Sequence, residues 1–185
     1  DLVGRDEWDV ELDETIFQPR SETSDARSYF CGGARVTLRA FELDWSRCNT
    51  ERFRTLIAKE DNDGLGGLDA ELGEIKGVLS NRRGLIYSVY GYYCAMGASH
   101  DRYVMGAPEF ASFCRDCELA DPSSKACKAH DLDNIFIWTN VEERSTGRLS
   151  VEQRRLNEAN LDRAMMRFEF LACLVRLAIA KYVKS

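Results

Sequence analysis

A chain of 185 residues with 44% hydrophobic content can bury a real core, which excludes wholesale disorder, and its length suits one domain with or without an arm. The net charge of −6 has the wrong sign for a general nucleic-acid binder. The imbalance is local: residues 1–30 hold 9 acids and 3 bases, and the rest of the chain balances at 22 of each.

The first expected element is an acidic arm over residues 1–33. Asp6, Glu7, Asp9, Glu11, Asp13 and Glu14 alternate with Trp8, Val10, Leu12 and Ile16. That pattern suits an extended segment laid on a surface better than a helix. Trp8, Ile16 and Phe17 are candidate docking residues, on the body or on a partner. Cys31-Gly32-Gly33 marks the break.

Residues 34–83 form the expected helical N-terminal part. Leu38, Phe41, Trp45 and Cys48 recur at three- and four-residue steps, and Phe53, Leu56 and Ile57 continue after a break near Asn49. Asp61-Asn62-Asp63-Gly64 has turn chemistry; neither alignment of its glycines gives a full calcium-ligand set. Leu68, Leu72, Ile75 and Leu79 make the next stripe. Arg82-Arg83-Gly84 separates it from a tyrosine-rich helix, Leu85–Met96. No strand-like alternation and no solenoid repeat is evident in the body.

The informative pattern occurs twice. Met105-Gly-Ala-Pro-Glu109-Phe110 leads into Phe113 and Cys114, and Met165-Met-Arg-Phe-Glu169-Phe170 leads into Leu171, Leu174 and Val175. An apolar residue, three intervening residues and Glu-Phe opening an apolar helix is how the second half of an EF-hand reads. Its loop carries an apolar residue at position 8 and a bidentate Glu at position 12. Leu85–Met96 and Asp131–Thr139 are the expected entering helices. The calcium chemistry is missing. Counting back from Glu109 puts Ala98, His100 and Arg102 where oxygen ligands belong, and Tyr103 where the turn wants glycine. The second copy spans 30 residues from Asn140 to Glu169, with a polar insertion at 144–164.

Cys114, Cys117, Cys127 and His130 compose a Cys₃His set that zinc would accept. Against it, Cys114 and Cys117 fall at core spacing from Phe110. The seven cysteines are odd in number and unevenly spaced, and the chain opens at Asp1 without a leader. We read a piece of a reduced, intracellular protein whose thiols are mostly small core residues. No run reaches the ~18 apolar residues of a membrane span. Phe168–Val183 is interrupted by Glu169, Arg176 and Lys181. No nucleophile–base set or phosphate loop suggests an enzyme. Arg82, Arg83 and Lys181 are candidate contacts for an acidic partner. Trp45 and Trp138 read as core.

Ser112-Phe-Cys-Arg-Asp-Cys-Glu-Leu-Ala-Asp121, followed by Asp131-Leu-Asp-Asn-Ile-Phe136, resembles the tubulin polymerisation-promoting protein family. The ending Arg167-Phe-Glu-Phe-Leu-Ala-Cys-Leu-Val-Arg-Leu-Ala-Ile-Ala-Lys-Tyr182 is similar to those that close EF-hand-like modules of cilia and flagella. The resemblance covers about residues 85–183. It implies an EF-hand-derived fold without calcium ligation, association with microtubules, and a structural role. The chain departs from the family in lacking basic tails and in carrying the insertion.

The expected architecture is therefore all-α: a degenerate EF-hand-like pair over 84–183, preceded by helices and an extended arm. The expected role is a non-catalytic interaction module in a ciliary, axonemal or microtubule-associated protein of the cytoplasm, with a protein partner, no cofactor, no nucleic acid and no membrane. A zinc- or calcium-responsive sensor is the alternative.

Overall fold

The computed structural model describes residues 34–60, 67–97, 103–140 and 164–184. The acidic segment with Trp8, Ile16 and Phe17, the turn at 61–66, the loop at 98–102 and the insertion up to residue 163 lie outside the described residues. In chain order the elements are α1 (Ala34–Cys48), α2 (Glu51–Glu60), α3 (Leu68–Asn81), α4 (Arg83–Met96), β1 (Met105–Gly106), α5 (Ala107–Asp116), α6 (Ala129–Asn140), β2 (Ala164–Met165) and α7 (Arg167–Ala178). The last turn of α7 widens into a π-helical segment, Ile179–Val183. Among the described residues the protein is all-α apart from one two-residue strand pair.

Local sequence accounts for the boundaries. α1 buries Val36, Ala40, Phe41, Asp44, Trp45 and Cys48. At about 3.6 residues per turn Asp44 falls in the middle of that arc and Leu38 at its margin, so Leu38 is exposed although its spacing suggested core. Thr50 starts α2, its Oγ1 accepting from the Phe53 amide at 3.3 Å. Gly67, at φ 76°, supplies the left-handed backbone before α3. Arg82 alone turns α3 into α4, so Arg83 and Gly84, expected in the break, belong to the helix. Pro108 sits in the first turn of α5, where its missing N–H costs nothing.

The strand pair is antiparallel, with Met105 opposite Met165 and Gly106 opposite Ala164. Two residues are too few to show alternation, which is why the body read as strandless. Both methionines are fully buried. The Tyr90 hydroxyl lies between the carbonyls of Tyr103 (2.8 Å) and Met165 (2.9 Å), tying α4 to both sides of the pair. An antiparallel pair has a local two-fold axis, and the aromatic core follows it. Phe110 on α5 packs with its ring tilted against Phe136 of α6 at 5.2 Å, and Phe170 on α7 likewise against Tyr90 of α4 at 5.4 Å. Phe113 joins the two halves through Phe110 and Phe170.

A second core lies on the other side of α7. Phe41, Trp45, Phe53 and Ile57 meet Leu72, Leu79 and Tyr87 there, together with Leu171 and Val175 of α7. Because α7 serves both cores, it is buried nearly all round, and its periodicity is weak for that reason.

A buried ion pair joins these layers. Arg167 Nε lies 2.5 Å from Asp44 Oδ2, with the two residues 2% and 1% exposed. The Tyr87 hydroxyl donates to the same oxygen at 2.6 Å, and the Arg167 guanidinium stacks over the Tyr87 ring at 4.3 Å. Burial, reinforced by the Asp44 charge, holds the Tyr87 phenol far above its ordinary range.

Replacing Asp44 by Ala removes the carboxylate that a buried guanidinium faces and should cost about 3–5 kcal/mol. The double variant Asp44→Leu/Arg167→Met removes both charges and should recover most of that loss. Urea unfolding of both variants checks this: a double variant as unstable as Asp44→Ala would mean that packing, not the lost ion pair, sets the cost.

Candidate functional site

The two Glu-Phe sites occupy equivalent places, each opening a helix after a strand of the pair. Glu169 is the third residue of α7, and its Oε2 accepts from the Met166 amide at 2.7 Å, the reciprocal contact of a capping box. Its carboxylate is buried and turned onto its own helix start. Glu109 has the matching position in α5. A Cβ on Gly106 would lie 2.5 Å from Glu109 Oε2, and one on Gly97 2.9 Å from Oε1. The carboxylate therefore fills the space between the end of α4 and β1, and the two glycines make room for it. Among the described residues, no group of three or more His, Cys, Asp or Glu side chains is placed to hold a metal ion.

The Cys₃His set is not assembled. Cys114 and Cys127 are buried in the aromatic core, and the Cys127 thiol lies 3.2 Å from the Leu119 carbonyl. Cys117, expected on the apolar face, is exposed, because α5 ends at Asp116 and the chain turns there. His130 points away to solvent and pairs with Asp131 at 3.1 Å. Cys48, Cys94 and Cys173 are buried core thiols. Burial pushes Cys48 and Cys114 from the ordinary 9.0 up to about 12 and Cys173 higher still. Such thiols are poor nucleophiles.

The candidate partner residues divide. Arg82 is exposed at the turn between α3 and α4. Arg83 folds back, its Nη1 donating to the Ser80 carbonyl at 2.8 Å, and Lys181 donates to the Glu118 carbonyl at 2.9 Å. Both brace loops or helix ends. Trp45 is core as expected, but Trp138 is 53% exposed, because α6 turns Leu132, Ile135 and Phe136 inward and leaves Ile137 and Trp138 outside. No helix among the described residues is long and apolar enough to cross a membrane.

The space between the paired helices is filled by the Phe110–Phe113–Phe170 cluster. An open groove of about 630 Å³ lies elsewhere, between α2, α3 and the end of α7. Ile57, Ile75, Leu79, Val175 and Ile179 are among its apolar residues, and Val78, Tyr182 and Val183 are exposed beside them. Glu60, Glu71 and Glu74 also line it. Sequence reasoning missed these residues. The available signal was Glu71, Glu74 and Val78, a second face of α3 at helical spacing beside the Leu72–Leu79 stripe.

Comparisons with protein-family models, curated proteins and solved structures find no match to this chain.

Because the fold keeps Cys48 and Cys114 neutral, their contribution to stability is complete below pH 9.0 and declines as the pH climbs toward about 12. Chemical unfolding across that range should show stability falling with pH, and Cys114→Ala should flatten the slope. At neutral pH a maleimide should label Cys117 first among the six described thiols. Peptide mapping that finds Cys114 or Cys173 labelled as fast would contradict the burial.

Proposed function

We propose that the chain is a non-catalytic protein-interaction module of a ciliary or microtubule-associated protein, built on an EF-hand-derived pair that does not bind calcium. One observation carries this reading: Met105 pairs with Met165 across a two-residue antiparallel contact, and four residues beyond each of them Glu-Phe stands in the first turn of the next helix. The four-residue step from Met to Glu is the one that separates loop positions 8 and 12 of an EF-hand, and on this reading the strand pair joins two such loops.

The chemistry of the two glutamates agrees with a scaffold. Glu169 spends its carboxylate on its own helix start and Glu109 turns toward backbone glycines. With Ala98, His100 and Arg102 in place of oxygen ligands, the first loop has too little negative charge for a divalent cation. The ciliary and microtubule setting comes from the sequence resemblance of residues 85–183. The apolar groove and the exposed Leu85, Tyr92 and Met96 on α4 supply surface for a protein partner.

The chain should co-sediment with microtubules or with isolated axonemes at low salt. Calorimetric titration with calcium should give a flat trace, and calcium against chelator should leave the melting temperature unchanged. Absence of association with either material would remove the microtubule setting, and a calcium-dependent melt would remove the scaffold reading.

A further inference from the structure

We propose that the groove between α2, α3 and the end of α7 receives an amphipathic helix whose apolar face is flanked by Lys and Arg. This rests on the chain being an interaction module but not on the identity of its ciliary partner. Shape is the first argument. On α3 the groove is lined by Glu71, Glu74, Ile75, Val78 and Leu79, and on the opposite side by Leu174, Val175, Ala178, Ile179, Tyr182 and Val183. Each row follows helical spacing over two turns or more, so the trough is about 12 Å long at a rise of roughly 1.5 Å per residue. That length accepts the i, i+4 and i+7 anchors of one docked helix face.

Charge is the second argument. The groove is lined by three glutamates and, among the described residues, by no Lys or Arg. The nearby cation Lys184 pairs with Glu60 at 2.6 Å, so these two charges offset one another at one end of the groove. α2 ends at Glu60 and the π-helical segment at Val183, so the negative ends of two helices add to the acidic rim. A cationic helix is therefore favoured, and an acidic one is repelled. The chain's own first 30 residues, with 9 acids against 3 bases, carry the wrong sign to fill it.

The apolar surface is the third argument. Val78 is 66% and Tyr182 78% exposed. They flank a continuous run into the second core through Leu79 and Ile179.

The test uses a fluorescent synthetic helix of about 18 residues, with Leu at i, i+4 and i+7 flanked by Lys, and a twin with Glu in place of Lys. By anisotropy with the full chain, the Lys peptide should bind about tenfold or more tightly than its twin, and more weakly as salt rises. Val78→Asp adds negative charge, so it should strengthen any unspecific attraction. Loss of binding by about tenfold in Val78→Asp and in Tyr182→Ser therefore supports the groove, whereas Ile137→Ser, on the exposed side of α6, should change nothing. Both lesions are at exposed positions, and a circular dichroism melt verifies folding. Equal binding of the two peptides, or unchanged binding in Val78→Asp and Tyr182→Ser, overturns the proposal. Axoneme co-sedimentation of the same proteins separates the two readings. Association of the unmodified chain with axonemes alongside failed peptide binding overturns the groove alone. Peptide binding without axoneme association leaves the groove and removes the microtubule setting.

Discussion

The contact between Asp44 and Arg167 fixes how the N-terminal helices sit on the rest of the molecule. Two opposite charges are almost wholly removed from water, at a desolvation cost of several kcal/mol per ion. That cost is offset only if the partners meet in good geometry. Arg167 is the first residue of α7, one residue past the strand pair, and Asp44 lies four residues before the end of α1. The rotation of α1 about its axis and its height along α7 are thereby both set. Tyr87 extends the constraint to α4, giving its hydroxyl to Asp44 and its ring face to Arg167. Apolar contacts alone would tolerate a slip of either helix by a fraction of a turn; this triad does not.

α7 then works as the shared wall of two cores. On one side it meets α4, α5 and α6 through Phe170, Cys173 and Leu177. On the other it meets α1, α2 and α3 through Leu171, Val175 and Ile179. The strand pair sets its start, since Met165 is held opposite Met105 and by the Tyr90 hydroxyl. At its far end the helix widens by one backbone step, the Lys184 amide reaching back to the Ile179 carbonyl at 3.0 Å. Tyr182 and Val183 are carried there beyond the packed core, beside α3. The acidic groove is thus a consequence of α7 outrunning the helices that cover it.

The placement of acid changes meaning with the fold. By sequence the surplus carboxylates belong to residues 1–30. In three dimensions a balanced body still concentrates Glu60, Glu71 and Glu74 on one apolar trough, while Arg83 and Lys181 are turned toward backbone carbonyls. Net charge predicts none of this, because it counts groups without regard to the surface on which they gather.

The sequence by itself determined the helices and much of the core. Helical spacing placed Phe41, Trp45, Phe53, Leu72, Phe110 and Phe170 inside, since a stripe of apolar residues has to be buried somewhere. The repeated Met–Glu-Phe pattern was legible because its spacing is local. Only the tertiary structure decided what lies beyond one helix length. Asp44 and Arg167, 123 residues apart, meet by chain folding, and neither has a local signature apart from Asp44 standing amid an apolar stripe. Trp138 read as core because it is apolar and helical, yet α6 has one buried face and that face went to Ile135 and Phe136. The strand pair needs two segments of two residues each, too short for any periodicity to announce. The groove is a space between elements, and a sequence holds no record of spaces until packing has set the distances between them.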